Sequence, residues 1–385
     1  MGALVNYLLV GGGGGGGANQ GGGGGGGGVL SGTVYISSNE TITVGAGGVG
    51  NIYGRVATSA NDGGYSSIGS LIIVPGGGAG GGNWSAGHNG GSGGGSFSGG
   101  GTGYGYAMAS GIAGYNGGAG VNAGFAKQGG GGGGGAGGAG ASAVLISGGT
   151  TNQAGNGGSA ISSSITGALQ WYAEGGGGGS DAGIPGSGIN GGGSGKTGGG
   201  TGYDATNYGC GGGGGSNGGE GHGGKGYQGI VILSYATDNY INGSGGTITD
   251  DGNGNTVHTF TSNETFTVPI SAVGIPSGLS VSDINGKSIT LEWLDAPYPA
   301  IQTNIYKNTT DSSATSALAG AISSGSQIFI AGGLQPITQY YFWLKAMDSD
   351  GNLSAFSSGV SATTTTAPEE GPSAIILGRT VVGGG

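Results

Sequence analysis

The stretch LLVGGGGGGGANQGGGGGGGGVL, from Leu8 to Leu30, places seven and then eight consecutive glycines between two apolar segments. Glycine loses more backbone entropy on folding than any other residue, about 0.5–1 kcal/mol more than alanine in regular structure. Such tracts are therefore either flexible linkers or an ordered structure whose backbone bonds compensate for that loss. Flexible linkers do not alternate repeatedly with β-branched segments, so we expect the tracts to be ordered.

The overall composition supports a packed protein. Glycine supplies 112 of the 385 residues, charged residues only 7%, and hydrophobic residues 34%. Disordered chains usually have few apolar residues and a dense net charge, whereas the net charge of −10 is spread thinly here. The eight Lys and Arg residues form no cluster, which argues against nucleic-acid binding.

The remaining bulk features concern the compartment. The single cysteine, Cys210, excludes an intrachain disulfide and suggests folding in a reducing cytoplasm. The first ten residues have no basic segment, and their apolar run is too short for a secretion signal or a membrane span. We therefore expect no classical export and no membrane insertion.

Glycine usage divides the chain, because only 19 of the 112 glycines follow residue 235. We assign residues 1–236 to a glycine-rich domain, which the β-rich segments 4–10 and 229–235 would close by pairing. The heptapeptide SNETITV at 38–44 returns as SNETFTV at 262–268, which indicates a duplicated fragment. Alternation of Thr, Phe and Val around the second copy predicts a β-hairpin arm or connector over 237–274.

Polyglycine can be ordered as an extended three-fold helix. This helix rises about 3.1 Å per residue and makes no internal hydrogen bonds, so its amides and carbonyls are free to bond sideways. Each lateral bond contributes about 1 kcal/mol. We therefore expect a bundle of polyglycine II helices with flanking β-strands, whose fold-determining positions are Gly11, Gly21, Gly28, Gly129, Gly175 and Gly211.

The whole pattern of apolar segment, glycine tract and closing strand, from Tyr7-Leu-Leu-Val10 to residues 229–235, resembles the glycine-rich domain of bacteriophage tail fibre and adhesin proteins. The resemblance covers about the first 240 residues. It implies packed polyglycine II helices and receptor specificity in the loops between them. We also expect a homo-oligomer, because helices at the edge of such a bundle leave unpaired backbone groups as sheet edges do, and the resemblance favours a trimer. One departure is that the arm at 259–268, which commonly introduces such a domain, here leads into a different module.

That second module, residues 275–366, has ordinary composition and short alternating strands, which predict a β-sandwich. It resembles a fibronectin type III domain in Trp293 at the end of its second strand and in Leu334-Gln-Pro-Ile-Thr-Gln-Tyr340, which matches a tyrosine corner. Residues 367–385 follow as a C-terminal tail. The predicted fold class is thus mainly β and irregular, with a polyglycine II bundle and a fibronectin type III sandwich.

Catalytic chemistry is not indicated. Gly195-Lys-Thr197 lacks the first glycine of a phosphate loop. The histidines His88, His222 and His258 are far apart in the sequence and are expected in loops or at the surface, and Cys210 has no base nearby. We predict no catalytic, cofactor or metal site, and no enzyme.

Aromatic residues in Gly, Ser and Asn surroundings are the better candidates for recognition, because antibody paratopes combine rigid rings with adaptable polar contacts in the same way. We select these rings as candidate receptor contacts: Trp84, Phe97, Tyr104, Tyr106 and Tyr115. The alternative is that such rings cover the faces of the glycine bundle.

The predicted function is that of a non-enzymatic virion component, a tail fibre or adhesin assembled in the host cytoplasm. Its expected partners are other virion proteins, further copies of itself, and a protein or polysaccharide receptor on the bacterial surface. A capsid or tail decoration protein without receptor binding is the first alternative. An ice-binding or matrix-type glycine-rich protein is the second, and it would need a secretion route.

Overall fold

The computed structural model describes residues 2–55, 61–98, 103–105, 114–124, 127–146, 151–219, 221–237, 240–271, 273–297, 299–349 and 351–366. The chain divides into two compact units, residues 1–270 and 271–385. The tail predicted at 367–385 lies outside the described residues.

The first unit is built from short strands and long segments without regular pleated structure. Its strands, with the one at the unit boundary, are β1 (Ala3–Val10), β2 (Val29–Ile36), β3 (Glu40–Thr43), β4 (Ser66–Ile68), β5 (Ile72–Val74), β6 (Val121–Asn122), β7 (Gln128–Gly129), β8 (Val144–Ile146), β9 (Thr151–Gln153), β10 (Ile161–Ser163), β11 (Gln170–Tyr172), β12 (Ile230–Ala236), β13 (Tyr240–Ile241), β14 (Thr247–Asp250), β15 (Asn255–Phe260), β16 (Glu264–Phe266) and β17 (Ile270–Ser271).

Two sheets of the first unit enclose an apolar core. The larger sheet has the order β14-β15-β12-β1-β2 and the smaller one β16-β3-β4-β5. The alternate residues Val5, Tyr7 and Leu9 of β1 point into the core, where they join Ile42 and Phe266 of the smaller sheet. β1 pairs antiparallel with β12, which confirms the closure predicted from segments 4–10 and 229–235.

The opposite face of β1 is also covered. Leu8 and Val10 pack in a second cluster with Tyr172 and Ala173, which end the β10–β11 hairpin. Burial on both faces explains why β1 and β12 are almost continuously apolar. These two central strands therefore hold the sheets and the glycine-rich segments together.

The β1–β2 hairpin continues directly into the first two glycine tracts. Val10 pairs with Val29 at the end of the sheet. Beyond it, Gly11 N donates to Gly28 O at 3.0 Å, Gly14 to Gly25 at 2.8 Å and Gly17 to Gly22 at 2.8 Å. The bonds between the two tracts thus recur every three residues, whereas a β-ladder has a period of two.

Every amide of the tract 21–28 donates to a backbone carbonyl of another segment. The acceptors at i, i+3 and i+6 lie on the same neighbour, so three neighbours accept from this tract and three others donate to it. The accepting segments are 75–81, 131–134 and 209–215, and the donating segments are 11–17, 92–95 and 176–179. We call each of these hydrogen-bonded extended segments a rod, and the assembly of rods the glycine slab.

Close approach of the rods leaves no room for a side chain at the glycines of the slab interior. A Cβ added at Gly24 would lie 2.1 Å from the carbonyl oxygen of Gly14. The same construction places a heavy atom within 2.6 Å at Gly11, Gly21, Gly129, Gly175 and Gly211. Gly28, the remaining predicted position, donates its amide to Pro75 O at 3.0 Å.

Side chains complete the hydrogen bonds of several outer rods. The Oδ1 atom of Asn89 accepts from Tyr104 N, that of Asn116 from Gly105 N, and that of Asn156 from Ser187 N, at 2.8, 2.9 and 3.0 Å. We expected unpaired backbone groups at the slab edges to drive oligomerisation. At these positions the amides already have partners, so this argument for an oligomer does not apply to them.

Residues 237–270, predicted as part of a connector, belong to the first unit. β14 and β15 form the expected hairpin, and β15 joins the larger sheet beside β12. β16 pairs with β3, so the two copies of the repeated heptapeptide lie side by side. The segment therefore completes both sheets.

The second unit is a β-sandwich of three- and four-stranded sheets. Its strands are β18 (Ser277–Ile284), β19 (Ile289–Leu294), β20 (Ala300–Asn308), β21 (Ala317–Ser323), β22 (Ile328–Ala331), β23 (Gln339–Asp348) and β24 (Val360–Thr363), with a 3₁₀ turn at Ser313–Thr315. The sheet orders are β18-β19-β22 and β21-β20-β23-β24.

The predicted core positions of the sandwich are confirmed. Trp293, Leu334 and Tyr340 are all buried in one cluster. The Tyr340 hydroxyl accepts a hydrogen bond from Gln335 N at 3.1 Å, which is the bond that defines a tyrosine corner. The second unit is therefore fibronectin type III-like.

The slab predicts a steep cost for one methyl group at its centre. Gly24→Ala places a Cβ against the Gly14 carbonyl, whereas a Cβ at Gly219 meets nothing within 4 Å. We expect Gly24→Ala to lower the free energy of unfolding by about 3 kcal/mol or more and Gly219→Ala to change it by less than about 0.5 kcal/mol. Denaturant unfolding of both variants measures the difference, and equal stabilities would contradict the packing.

Candidate functional site

The rods run alternately away from the sheets and back towards them. Rod 11–17 leaves β1 and rod 21–28 returns to β2, and Gly17 bonds to Gly22 at the turn. In the same way, Gly15 N donates to Asn61 O at the far end of one neighbouring rod, and Gly22 N donates to Gly81 O at the far end of another. The turns at 18–20, 52–55 and 83–85 therefore lie together at the end of the slab remote from the sheets. We call them the distal loops.

Trp84 is the most prominent side chain of these loops. Its side chain is 70% exposed. Asn83 and Trp84 have φ angles of 50° and 73°, in the left-handed region that costs a residue with a Cβ about 1–2 kcal/mol. Strained backbone of this kind persists only where the surroundings fix it, and it concentrates at functional sites.

Hydrogen bonds from Asn83 and Ser85 fix the strained turn. Asn83 Oδ1 accepts from Gly54 N at 3.2 Å, and its Nδ2 donates to the carbonyls of Ile52 and Arg55. Ser85 Oγ accepts from Gly82 N at 3.0 Å and donates to Gly82 O at 2.7 Å. The Trp84 ring is thus presented by a turn tied to the neighbouring loop, in which Ile52 is also exposed.

Phe97 is not a surface contact, contrary to our expectation. It is 1% exposed and its ring centroid lies 4.9 Å from that of Trp84, with the ring planes tilted by 56°. A side chain inside the slab edge must be covered, and Trp84 covers it. Phe97 therefore supports the indole from below, where no receptor would touch it.

Tyr104 and Tyr115 form a separate surface. They are 62% and 49% exposed and lie on adjacent outer rods, joined by the bond from Gly105 N to Asn116 Oδ1. Tyr115 O accepts from Gly93 N, at a level nearer to the sheets than to the distal loops. The candidates chosen from the sequence are therefore split between two places, and Tyr106 lies outside the described residues.

The buried polar groups of the slab have structural roles. Burial raises the pKa of the Cys210 thiol to about 12, so the thiol is protonated and unreactive at neutral pH. The buried Glu174 carboxylate accepts hydrogen bonds from Ile189 N and Gly192 N at 2.7 and 2.8 Å, and also from Asn190 N. Among the described residues, no three His, Cys, Asp or Glu side chains are grouped to hold a metal ion.

The expectation that all three histidines lie in loops or at the surface is wrong for His258. This residue is fully buried between the sheets, where Nδ1–H donates to Gly245 O at 2.8 Å and Nε2 accepts from the Tyr235 hydroxyl at 2.9 Å. Burial lowers its pKa. His88 is different, because a 2.8 Å hydrogen bond to Asp62 raises its pKa against the effect of burial.

Together, the slab and the distal loops define a glycine-rich structural domain with exposed loops at one end. The model of a family described as glycine-rich domain matches residues 2–236. The match spans more than half of the chain, and the protein belongs to this family. No curated protein matches the sequence. In the part of the chain that the structure describes, no helix is long and apolar enough to span a bilayer.

Solved structures similar to the chain include fibronectin type III domains. A Fn3-like protein from Clostridium thermocellum is 23% identical and covers 26% of this chain and 99% of its own, with a TM-score of 0.22. The fibronectin type III domain of the human KIAA0970 protein is 12% identical and covers 28% of this chain and 85% of its own, also with a TM-score of 0.22. The assignment of the sandwich as fibronectin type III-like depends on its own strand order and tyrosine corner.

The pKa values of His258 and His88 should lie on opposite sides of 6.5, the ordinary value for histidine. Because the folded pKa of His258 is lowered, its contribution to stability is lost as the pH falls below that value. Because the folded pKa of His88 is raised, its contribution is complete below that value and lost as the pH rises through the folded pKa. NMR titration of the ring protons measures both pKa values.

Asp62→Asn provides the control for this titration. It removes the carboxylate partner of His88 and should return the pKa of His88 towards 6.5, while the pKa of His258 stays unchanged. A His258 ring that titrates above 6.5 would contradict its buried, neutral state.

Proposed function

We propose that this protein is a non-enzymatic bacteriophage virion component, a tail fibre or adhesin, that contacts the host cell surface through its distal loops. The observation that carries the proposal is the exposed Trp84 on a strained turn fixed by Asn83 and Ser85. The phage assignment itself comes from the resemblance of the glycine-rich sequence to tail fibre and adhesin domains.

Several properties of the Trp84 turn suit receptor binding. Trp is enriched among the residues that contribute most to binding at protein interfaces. Its ring is held in place before binding, which lowers the entropy cost of ordering on contact. Ile52 adds exposed apolar area in the neighbouring loop. The receptor would be a protein or polysaccharide of the bacterial surface.

We further propose that the rods are polyglycine II helices. The three-residue period of the bonds between rods 11–17 and 21–28, and the six neighbours of rod 21–28, support this assignment, because a three-fold helix directs successive amides to three sides. A rigid slab of such helices would hold the distal loops at a fixed distance from the sheets.

A second exposed surface suits the other proposed partners, which are virion proteins and further copies of the chain. Tyr104 and Tyr115 form an exposed aromatic surface on the side of the slab, which fits contact with a neighbouring virion protein or another copy of the chain, with a trimer favoured. If that surface alone binds, the protein is a capsid or tail decoration protein. No observation favours an ice-binding or matrix role.

The test is binding of purified protein to host cells, with Trp84→Ala compared with Tyr203→Ala. Tyr203 is also exposed, at 54%, and lies on a different rod. We expect Trp84→Ala to weaken binding about 30-fold, the loss of about 2 kcal/mol typical of a central interface Trp, and Tyr203→Ala to leave it unchanged. Unfolding curves check that both variants are folded.

A third variant distinguishes the alternatives. Binding that survives Trp84→Ala would contradict the role of the distal loops. Binding only to assembled particles, lost in Tyr104→Ala/Tyr115→Ala, would support a decoration protein instead.

A further inference from the structure

The two copies of the repeated heptapeptide pair with each other in the smaller sheet. Thr41 of β3 lies opposite Thr265 of β16, and Ile42 and Glu40 lie opposite Glu264 and Phe266. The copies agree at six of seven positions, residues 38–44 and 262–268. Two nearly identical strands in antiparallel register are related by a local two-fold axis through the central threonine pair.

The side-chain hydrogen bonds of the two copies are related by the same two-fold axis. Asn263 Oδ1 accepts from Val44 N at 2.8 Å, and Asn39 Oδ1 accepts from Val268 N at 3.0 Å. Ser38 Oγ donates to Glu40 at 3.4 Å, and Ser262 Oγ donates to Glu264 at 3.2 Å. The asparagine of each copy therefore accepts the same bond from the valine amide of the other copy, and each copy has the same internal bond from serine to glutamate.

Four strands of the larger sheet have a similar arrangement, and β14 is an additional strand beside β15. The central pair of the four is β1 and β12, with β2 beside β1 and β15 beside β12. β2 leads into β3 in the first half, and β15 leads into β16 in the second. The strand core thus consists of two similar halves within one chain, like the two halves of a symmetric dimer interface.

The second half is required to complete the core. Phe260 of β15 and Phe266 of β16 are fully buried between the sheets with Ile36 and Ile42. Without β16, the edge of β3 and part of the apolar core would be open to solvent. An edge of this kind needs an occupant.

We propose that the closing strand Ser262–Val268 is exchangeable between copies of this chain, so that the strand of one chain pairs with β3 of another. An exchanged strand makes the same pairing, the same asparagine bonds and the same burial of Phe266 as the intramolecular strand. The choice between them is then set by concentration, because the tethered strand competes at an effective concentration in the millimolar range. Strand exchange of this kind is a low-cost route to oligomers.

The proposal does not depend on the identity of the receptor or on the distal loops. It identifies the partner as a second copy of the chain, and it predicts exchange where many copies are held close together. In dilute solution the intramolecular closure should predominate.

The experiment mixes two full-length single variants, Thr41→Cys and Thr265→Cys. Opposed residues in an antiparallel pair have Cβ atoms about 4.5–5.5 Å apart, within reach of a disulfide. The mixture is unfolded, refolded at concentrations from micromolar to about millimolar, and oxidised. We expect a cross-linked heterodimer whose fraction rises with concentration. It should reach about one quarter of the chains near the effective concentration of the tether, because half of the exchanged strands then pair with a copy of the same variant.

The matched control is the mixture of Thr247→Cys and Thr259→Cys. These residues are opposed within the β14–β15 hairpin, which lies outside the exchanged segment, so their mixture should give no heterodimer. The double variant Thr41→Cys/Thr265→Cys should form an intrachain disulfide in dilute solution.

Absence of the heterodimer at the highest concentration, with full intrachain cross-linking of the double variant, would overturn the proposal. Sedimentation of the wild-type chain, refolded over the same concentrations, tests the proposal even if the cysteine variants fail to fold. A dimer fraction that rises with concentration and persists in Tyr104→Ala/Tyr115→Ala supports exchange, and a monomer throughout contradicts it.

Discussion

Lateral hydrogen bonding between glycine backbones is the constraint on which the first unit depends. In rod 21–28 successive amides donate to three different neighbours, so an interior rod needs other rods on all sides. Each bond contributes only about 1 kcal/mol, and the entropy lost by each glycine is of similar size. The slab is therefore stable only as a whole, and at the glycines of its interior the rods are packed too closely for a side chain.

This constraint also determines where side chains can appear. Large side chains lie on the outer rods, the distal loops and the strands, and exposed rings such as Trp84 and Tyr104 stand at the boundary of the slab. The strands serve as the base, because β1 and β2 pass their antiparallel pairing to the first two rods. Apolar burial between the sheets fixes one end of the slab. The other end is remote from the sheets and carries the distal loops.

The sequence allowed prediction of features that depend on local pattern. Pairing of β1 with β12 followed from two apolar segments at the ends of the glycine-rich region, and Tyr340 followed from the spacing of its motif. The burial of Phe97 and His258 was not predictable, because it depends on which rods and strands pack against them. The mutual pairing of the two heptapeptides was missed for the same reason, although their identity was the signal that pointed to it.

Hydrogen exchange of the backbone amides of residues 21–28 tests the account most directly. If lateral bonds make the slab the interior of the protein, all eight amides that the structure shows as donors should exchange as slowly as those of β1, at a rate set by global unfolding. Exchange of these amides at the rate of the exposed turn 217–219, while β1 stays protected, would show that the tracts are flexible linkers and would contradict the account.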